Sequence, residues 1–178
     1  MDNRNWRVAP AAPAPDDPLE YLAYEHFKYR EMCNELDRLA DAATFDSGAV
    51  SRLAETIRGD LTMHVSDEEE GLFPLLRKRC RPEDQVAETL DRMTREHAER
   101  MDCLARARIA LLTAFTESKP LPQIAGASEA LHACARSLRR LMMLENGVLI
   151  PLARRRLLAD DLVALGARLA ARRRAKSA

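Results

Sequence analysis

His64 and Glu68 stand four residues apart in the stretch HVSDEEEGLFPLLRKR, residues 64–79. That spacing turns both side chains to one side of a helix. An imidazole and a carboxylate so placed can exchange a proton or share a cation. Three more ionisable residues, His26, His97 and Glu145, fall on apolar stripes of the chain. Burying even a neutral polar group without a partner costs about 2–7 kcal/mol, and an isolated carboxylate costs more. A shared cation removes that cost. Mixed imidazole and carboxylate donors suit iron, manganese or zinc better than calcium or magnesium. Taken singly, each of these residues reads better as a hydrogen-bonded core histidine or a boundary glutamate. Taken together, with one or more donors from each of four helices, they predict a metal site.

The stretch has a counterpart further along, LMMLENGVLIPLARRR at 141–156. Glu68 aligns with Glu145, Leu72 with Leu149, Pro74 with Pro151 and Leu75 with Leu152. His64, however, aligns with Leu141. The dipeptide Glu25-His26 is likewise echoed by Glu96-His97. The chain therefore reads as two units, each an EH helix followed by a helix bearing a carboxylate and a proline.

The elements that must position these residues are helices. Asp17-Pro18-Leu19-Glu20 is a helix start, with a capping aspartate and a first-turn proline. Leu19, Leu22, His26, Tyr29, Cys33 and Leu36 then recur at helical spacing to about Ala42. A second helix carries Val50, Leu53, Ile57, Leu61, His64, Glu68, Leu72 and Leu75, with a kink expected at Pro74. A third opens at Pro82 and places Met93, His97, Met101, Leu104, Leu111 and Phe115 inward. SKPLP at 118–122 ends it. A fourth carries Leu131, Cys134, Leu138, Leu141, Glu145, Val148 and Leu152. A short fifth, from about Asp160 to Arg173, ends in a basic tail. The expectation is all-α: an antiparallel up-down four-helix bundle over 17–157, with a short additional C-terminal helix in 158–178. That helix packs alongside or serves a partner, a homodimer included.

Length and composition bound the function. A chain of 178 residues suffices for one domain with a substantial core. Lys plus Arg and Asp plus Glu are both 28, so no net field recruits nucleic acid or an anionic membrane. No apolar run spans a bilayer. Residues 1–16 are Pro/Ala-rich without a signal-type apolar segment, and are expected to be disordered in a cytoplasmic protein. Cys33, Cys80, Cys103 and Cys134 form no zinc-finger or disulfide pattern. Cys33 and Cys134 read as small core residues rather than oxidant-sensing thiols. His132 lies about 100° off its helix stripe and serves as a non-ligand control. Asp67 to Glu70, apart from Glu68, reads as a solvated face, and the tail arginines as a solvated terminus.

HVSDEEEGLFP resembles the H-x-x-x-E-x-x-x-L-F-P helix of the hemerythrin-like family, also called HHE cation-binding domains. LENGVLIP resembles the same motif in the family's fourth helix, and His26 and His97 match the single histidines of its first and third. The resemblance covers about 17–157. It implies a bundle around two non-haem irons, with His26 and His64 on one metal, Glu68 and Glu145 bridging, and His97 on the other. It implies dioxygen or nitric oxide as small ligand, and roles in oxygen, nitric oxide or redox sensing, metal handling or peroxide chemistry. The family expects a histidine where this chain has Leu141. Three outcomes stay open: a weak second metal, a single iron, manganese or zinc, or a metal-free helical bundle acting through protein contacts. Tyr24, Tyr29, Glu96 or a water are candidates to fill the gap, and Leu141→His is expected to raise the iron ratio toward two.

Overall fold

The computed structural model describes residues 17–177; the segment 1–16, expected to be disordered, lies outside them. Among the described residues there is no strand. Helix α1 (Pro18–Ala40) starts where expected: the Asp17 carboxylate accepts from the backbone N–H of Leu19 and Glu20, and Pro18 occupies the first turn. Helix α2 (Ser47–Ser66) is capped by Asp46, which accepts from Ala49 N–H at 2.9 Å. Helix α4 (Val86–Glu117) and helix α5 (Ala127–Leu144) complete the bundle. The main pairings are α1 on α5, α2 on α4 and α4 on α5.

The core is split in two. One cluster gathers Tyr29, Leu36, Leu53, Leu61, Leu104, Leu111, Leu131 and Leu138. The other gathers Leu22, Leu72, Leu76, Leu90, Met93, Leu141 and Leu149. Along each helix the site residues fall at the passage from one cluster to the other. His26 lies between Leu22 and Tyr29, His64 and Glu68 between Leu61 and Leu72. His97 lies between Met93 and Leu104, Glu145 between Leu138 and Leu149. The order of clusters reverses from each helix to the next, as up-down topology requires. The chain is the expected all-α four-helix bundle with an added C-terminal helix.

The second and fourth helices are not simply kinked at their prolines. Each passes through a π-helical segment, Asp67–Leu72 and Glu145–Leu149, and then continues as α3 (Phe73–Arg79) and α6 (Ile150–Arg156). In the first, the Glu68 carbonyl accepts from Phe73 N–H; in the second, the Glu145 carbonyl accepts from Ile150 N–H. Pro74 and Pro151 follow at once. Lacking an N–H, each leaves the carbonyl four residues back without an α-type donor, and the ladder widens just before it. The wide turn also corrects the inward assignment of Val148, which is exposed, while Leu149 is buried. Met101 and Phe115, expected inside, are exposed too. After His97 the buried stripe steps three residues, to Arg100, rather than four.

Helix α7 (Ala159–Ser177) is longer than expected and packs against α1 and the first π segment. Leu165 and Leu169 are fully buried there. Gly71 permits the approach, since a Cβ on it would lie 3.0 Å from Leu165 Cδ1. Two of the arginines at the basic end of α7, Arg172 and Arg173, are half-buried rather than solvated, while Arg168 and Arg174 are exposed. Arg172 pairs with Asp67 (2.8 Å) and Glu70 (2.7 Å), and Arg173 with Asp67 (2.8 Å) and Glu25 (3.0 Å). Asp67 is completely buried, so the acidic run is not merely a solvated face. Hydropathy assigns such a run to solvent; here arginines from a distant helix compensate it.

Candidate metal centre

The structure brings His26, His64, Glu68, His97 and Glu145 into the layer between the two apolar clusters, each at most 2 % exposed. Atoms of His26, His64, Glu68 and Glu145 suited to hold a metal all lie within 4.8 Å of one another. His26 Nε2 is 3.0 Å from His64 Nε2 and 3.2 Å from Glu145 Oε2, and His64 Nε2 is 3.9 Å from Glu68 Oε1. His97 Nε2 lies 3.5 Å from Glu68 Oε2 and 3.5 Å from Glu145 Oε1. Each carboxylate thus turns one oxygen toward His26 and His64 and the other toward His97.

Each ring is oriented by its other nitrogen. His26 Nδ1 is 2.8 Å from Asn146 Oδ1, His64 Nδ1 is 3.1 Å from Glu25 Oε2, and His97 Nδ1 is 2.8 Å from Glu69 Oε1. All three partners are oxygen acceptors, so Nδ1–H donates and Nε2 is left with its lone pair facing inward. Two such lone pairs 3.0 Å apart repel unless something positive sits between them. His97 also stacks on Phe73, centroids 5.9 Å apart at 19°.

Both oxygens of Glu68, both of Glu145 and His97 Nε2 are buried without a hydrogen-bond partner. Native interiors rarely leave such groups orphaned, and a buried pair of carboxyl groups needs a bound cation or a shared proton. Burial and the charge of Glu145 hold the Glu68 carboxyl well above its ordinary range. These donors are the set that borderline transition metals prefer, and the orphaned oxygens face where a cation would neutralise them. The residues fit a metal.

Glu25, Asn146, Glu69 and Arg100 were missed by sequence reasoning. Glu25 is buried; burial raises its pKa, but His64 and then Arg173 bring it down to about 2. Its position next to His26 was visible as Glu25-His26, but the partner histidine is on another helix. Arg100 is buried one turn past His97 and interrupts an otherwise apolar stripe. Of the candidates to fill the gap at Leu141, Tyr24 is exposed, and the Tyr29 hydroxyl donates to the Asp60 carbonyl at 3.1 Å. Glu96 lies 3.9 Å from Arg100. His132 sits on the flank as expected, between Asp37 (2.7 Å) and Asp41 (3.0 Å). Cys33 and Cys134 are fully buried, and burial pushes the Cys33 thiol up to about 12 and that of Cys134 higher still.

The family model for the hemerythrin HHE cation binding domain matches residues 17–153. No curated protein matches the chain. No helix among the described residues is long and apolar enough to cross a membrane.

Proposed function

We propose that this chain, which belongs to the hemerythrin HHE cation-binding family, holds a metal ion, iron before manganese or zinc, in the polar layer of its bundle. His26 and His64, with one oxygen each from Glu68 and Glu145, hold the metal. The remaining oxygens, with His97, form a second, poorer position beside Leu141. One observation carries this reading: three histidines tied at Nδ1 turn Nε2 toward four carboxylate oxygens that nothing else satisfies. A metal-free scaffold would leave those groups unpaid for.

Bound iron supplies reversible binding of a small diatomic ligand, dioxygen or nitric oxide, together with electron transfer. The chain's residues do the rest. Asn146, Glu25 and Glu69 fix the ring orientations. Leu22, Leu72, Met93, Leu141 and Leu149 wall one side and keep water and stray protons away. An incomplete second position favours sensing or metal handling in the cytoplasm over two-electron oxygen storage. Contact with a protein partner or second copy would use the outer face of α7, where Val163 is exposed, since its inner face is occupied.

Metal analysis of protein from iron-replete cells, followed by visible spectra with azide or nitric oxide, tests this. Bound iron whose spectrum changes with either ligand is the expected result. No metal, even after anaerobic Fe(II) loading, would refute it in favour of a scaffold. Peroxide turnover above that of free iron would instead support an enzyme on the same residues.

A further inference from the structure

The three oriented rings are not backed alike. His26 Nδ1 donates to a neutral amide, Asn146 Oδ1, at 2.8 Å. His97 Nδ1 donates to Glu69, whose side chain is 32 % exposed, so water screens its charge. His64 Nδ1 donates to Glu25 Oε2 at 3.1 Å, and Glu25 is buried. The three groups set against that carboxylate are all donors. The Tyr21 hydroxyl and Arg173 Nη2 each meet Oε1 at 3.0 Å, which leaves Oε2 to His64. Arg173 Nε donates to the same hydroxyl, so the tyrosine proton is free to point at Glu25. Glu25 is thus held as an ionised acceptor. Arg173 also pairs with Asp67 at 2.8 Å, but Arg172 holds Asp67 as well, at 2.8 Å. The other two partners of Glu25, Tyr21 and His64, bring no fixed charge. A carboxylate behind a ligating imidazole raises the donor strength of the ring. A guanidinium on that carboxylate takes part of the effect back, because buried charges act on each other with little screening.

We propose that Arg173, reaching in from α7, is a positioning residue of the metal centre: by matching the charge of Glu25 it limits how strongly His64 donates to the metal, and so favours the lower oxidation state of a bound iron. The inference rests on the metal-binding reading above and adds to it a role for the helix outside the bundle. Iron(III) carries one more positive charge than iron(II). A fixed cation close behind a ligand disfavours it, and a stronger imidazole donor favours it. Loss of the guanidinium charge acts in the same direction on both counts. A neutral donor in its place would still hold Glu25, so charge and hydrogen bond can be separated.

The test is the iron(III)/iron(II) midpoint potential, from a redox titration followed by visible spectra after anaerobic Fe(II) loading. The proteins are wild type, Arg173→Gln, which keeps a donor and drops the charge, Arg173→Lys, which keeps the charge, Glu25→Gln, and Arg173→Gln/Glu25→Gln. Circular dichroism checks folding. An outer partner of a ligand is worth roughly 10–100-fold, and Arg173 stands one contact further out, so Arg173→Gln should favour iron(III) by about tenfold, a fall of about 59 mV for one electron. Arg173→Lys should stay near wild type. Glu25→Gln should lie highest, and the double variant between it and Arg173→Gln. An unchanged potential in folded Arg173→Gln would overturn the role of Arg173 while leaving the metal reading intact. A double variant lower than Arg173→Gln would point to lost packing rather than lost charge and overturn it as well. No iron in wild type would remove both readings. If Arg173→Gln does not fold, Glu25→Gln and the double variant decide, since they differ only in the guanidinium charge, and equal potentials would overturn the proposal.

Discussion

Replacing Arg173 with methionine cuts the tie between α7 and the oriented ligands. The guanidinium pairs with Glu25 at 3.0 Å and Asp67 at 2.8 Å, hydrogen-bonds the Tyr21 hydroxyl, and lies 4.3 Å over the Tyr21 ring. Breaking a buried pair by removing one partner costs roughly 3–5 kcal/mol, because a charge stays behind uncompensated. Here both acids keep a second partner: Arg172 at 2.8 Å for Asp67, and the Tyr21 hydroxyl at 3.0 Å for Glu25. The lower end, about 3 kcal/mol, is therefore expected. For a chain this size that corresponds to roughly 6–12 °C in Tm. The assay is urea unfolding of the metal-free protein followed by far-UV circular dichroism, because a bound metal would add its own stabilisation. Asp67→Asn in the same background removes one of the two acids that lost Arg173, and the pair should be non-additive by about 1–2 kcal/mol in a double-mutant cycle. A loss below about 1 kcal/mol, the value of an exposed ion pair, would refute the claim that α7 is held by buried electrostatics.

Glu68→Ala should cost more metal affinity than the roughly 10–100-fold typical of losing an outer partner, while His132→Ala leaves metal content unchanged; equal losses in competition titrations would contradict the site assignment. His132 carries the opposite kind of prediction. Asp37 and Asp41 raise its pKa above 6.5 in the folded state. Its contribution to stability is therefore fully present below pH 6.5 and fades as pH rises through the higher folded value. Urea midpoints compared on either side of that window should fall more steeply with pH for wild type than for His132→Gln, and parallel curves would exclude the effect. Mild peroxide should leave Cys33 and Cys134 unmodified in mass spectra, since thiols without exposure or thiolate character react slowly.

The helices, their order and the five inward polar residues were legible because one period, 3.6, governs both the apolar stripe and the residues interrupting it. What was hidden depends on partners that periodicity does not encode. Glu25, Asn146 and Glu69 meet histidines on other helices, so only the assembled bundle pairs them. Asp67 looked solvent-facing because its compensating arginines lie more than a hundred residues away, on α7. Arg100 was passed over for Met101 because a hydropathy stripe rejects a charge. Val148 was misplaced because an α-helical count does not hold across a π turn.

Those two wide turns have an evolutionary corollary. A π segment is an α-helix that has absorbed one inserted residue as a bulge, so the stretches on both sides keep facing the core. Loss of one residue from 69–71 would let the ladder close to regular α pairing and leave Leu61 and Leu76 packed as before, while Glu68 lost its aim. Fold and ligation can therefore part company by a single indel, and a descendant shortened there would keep the bundle without the cation.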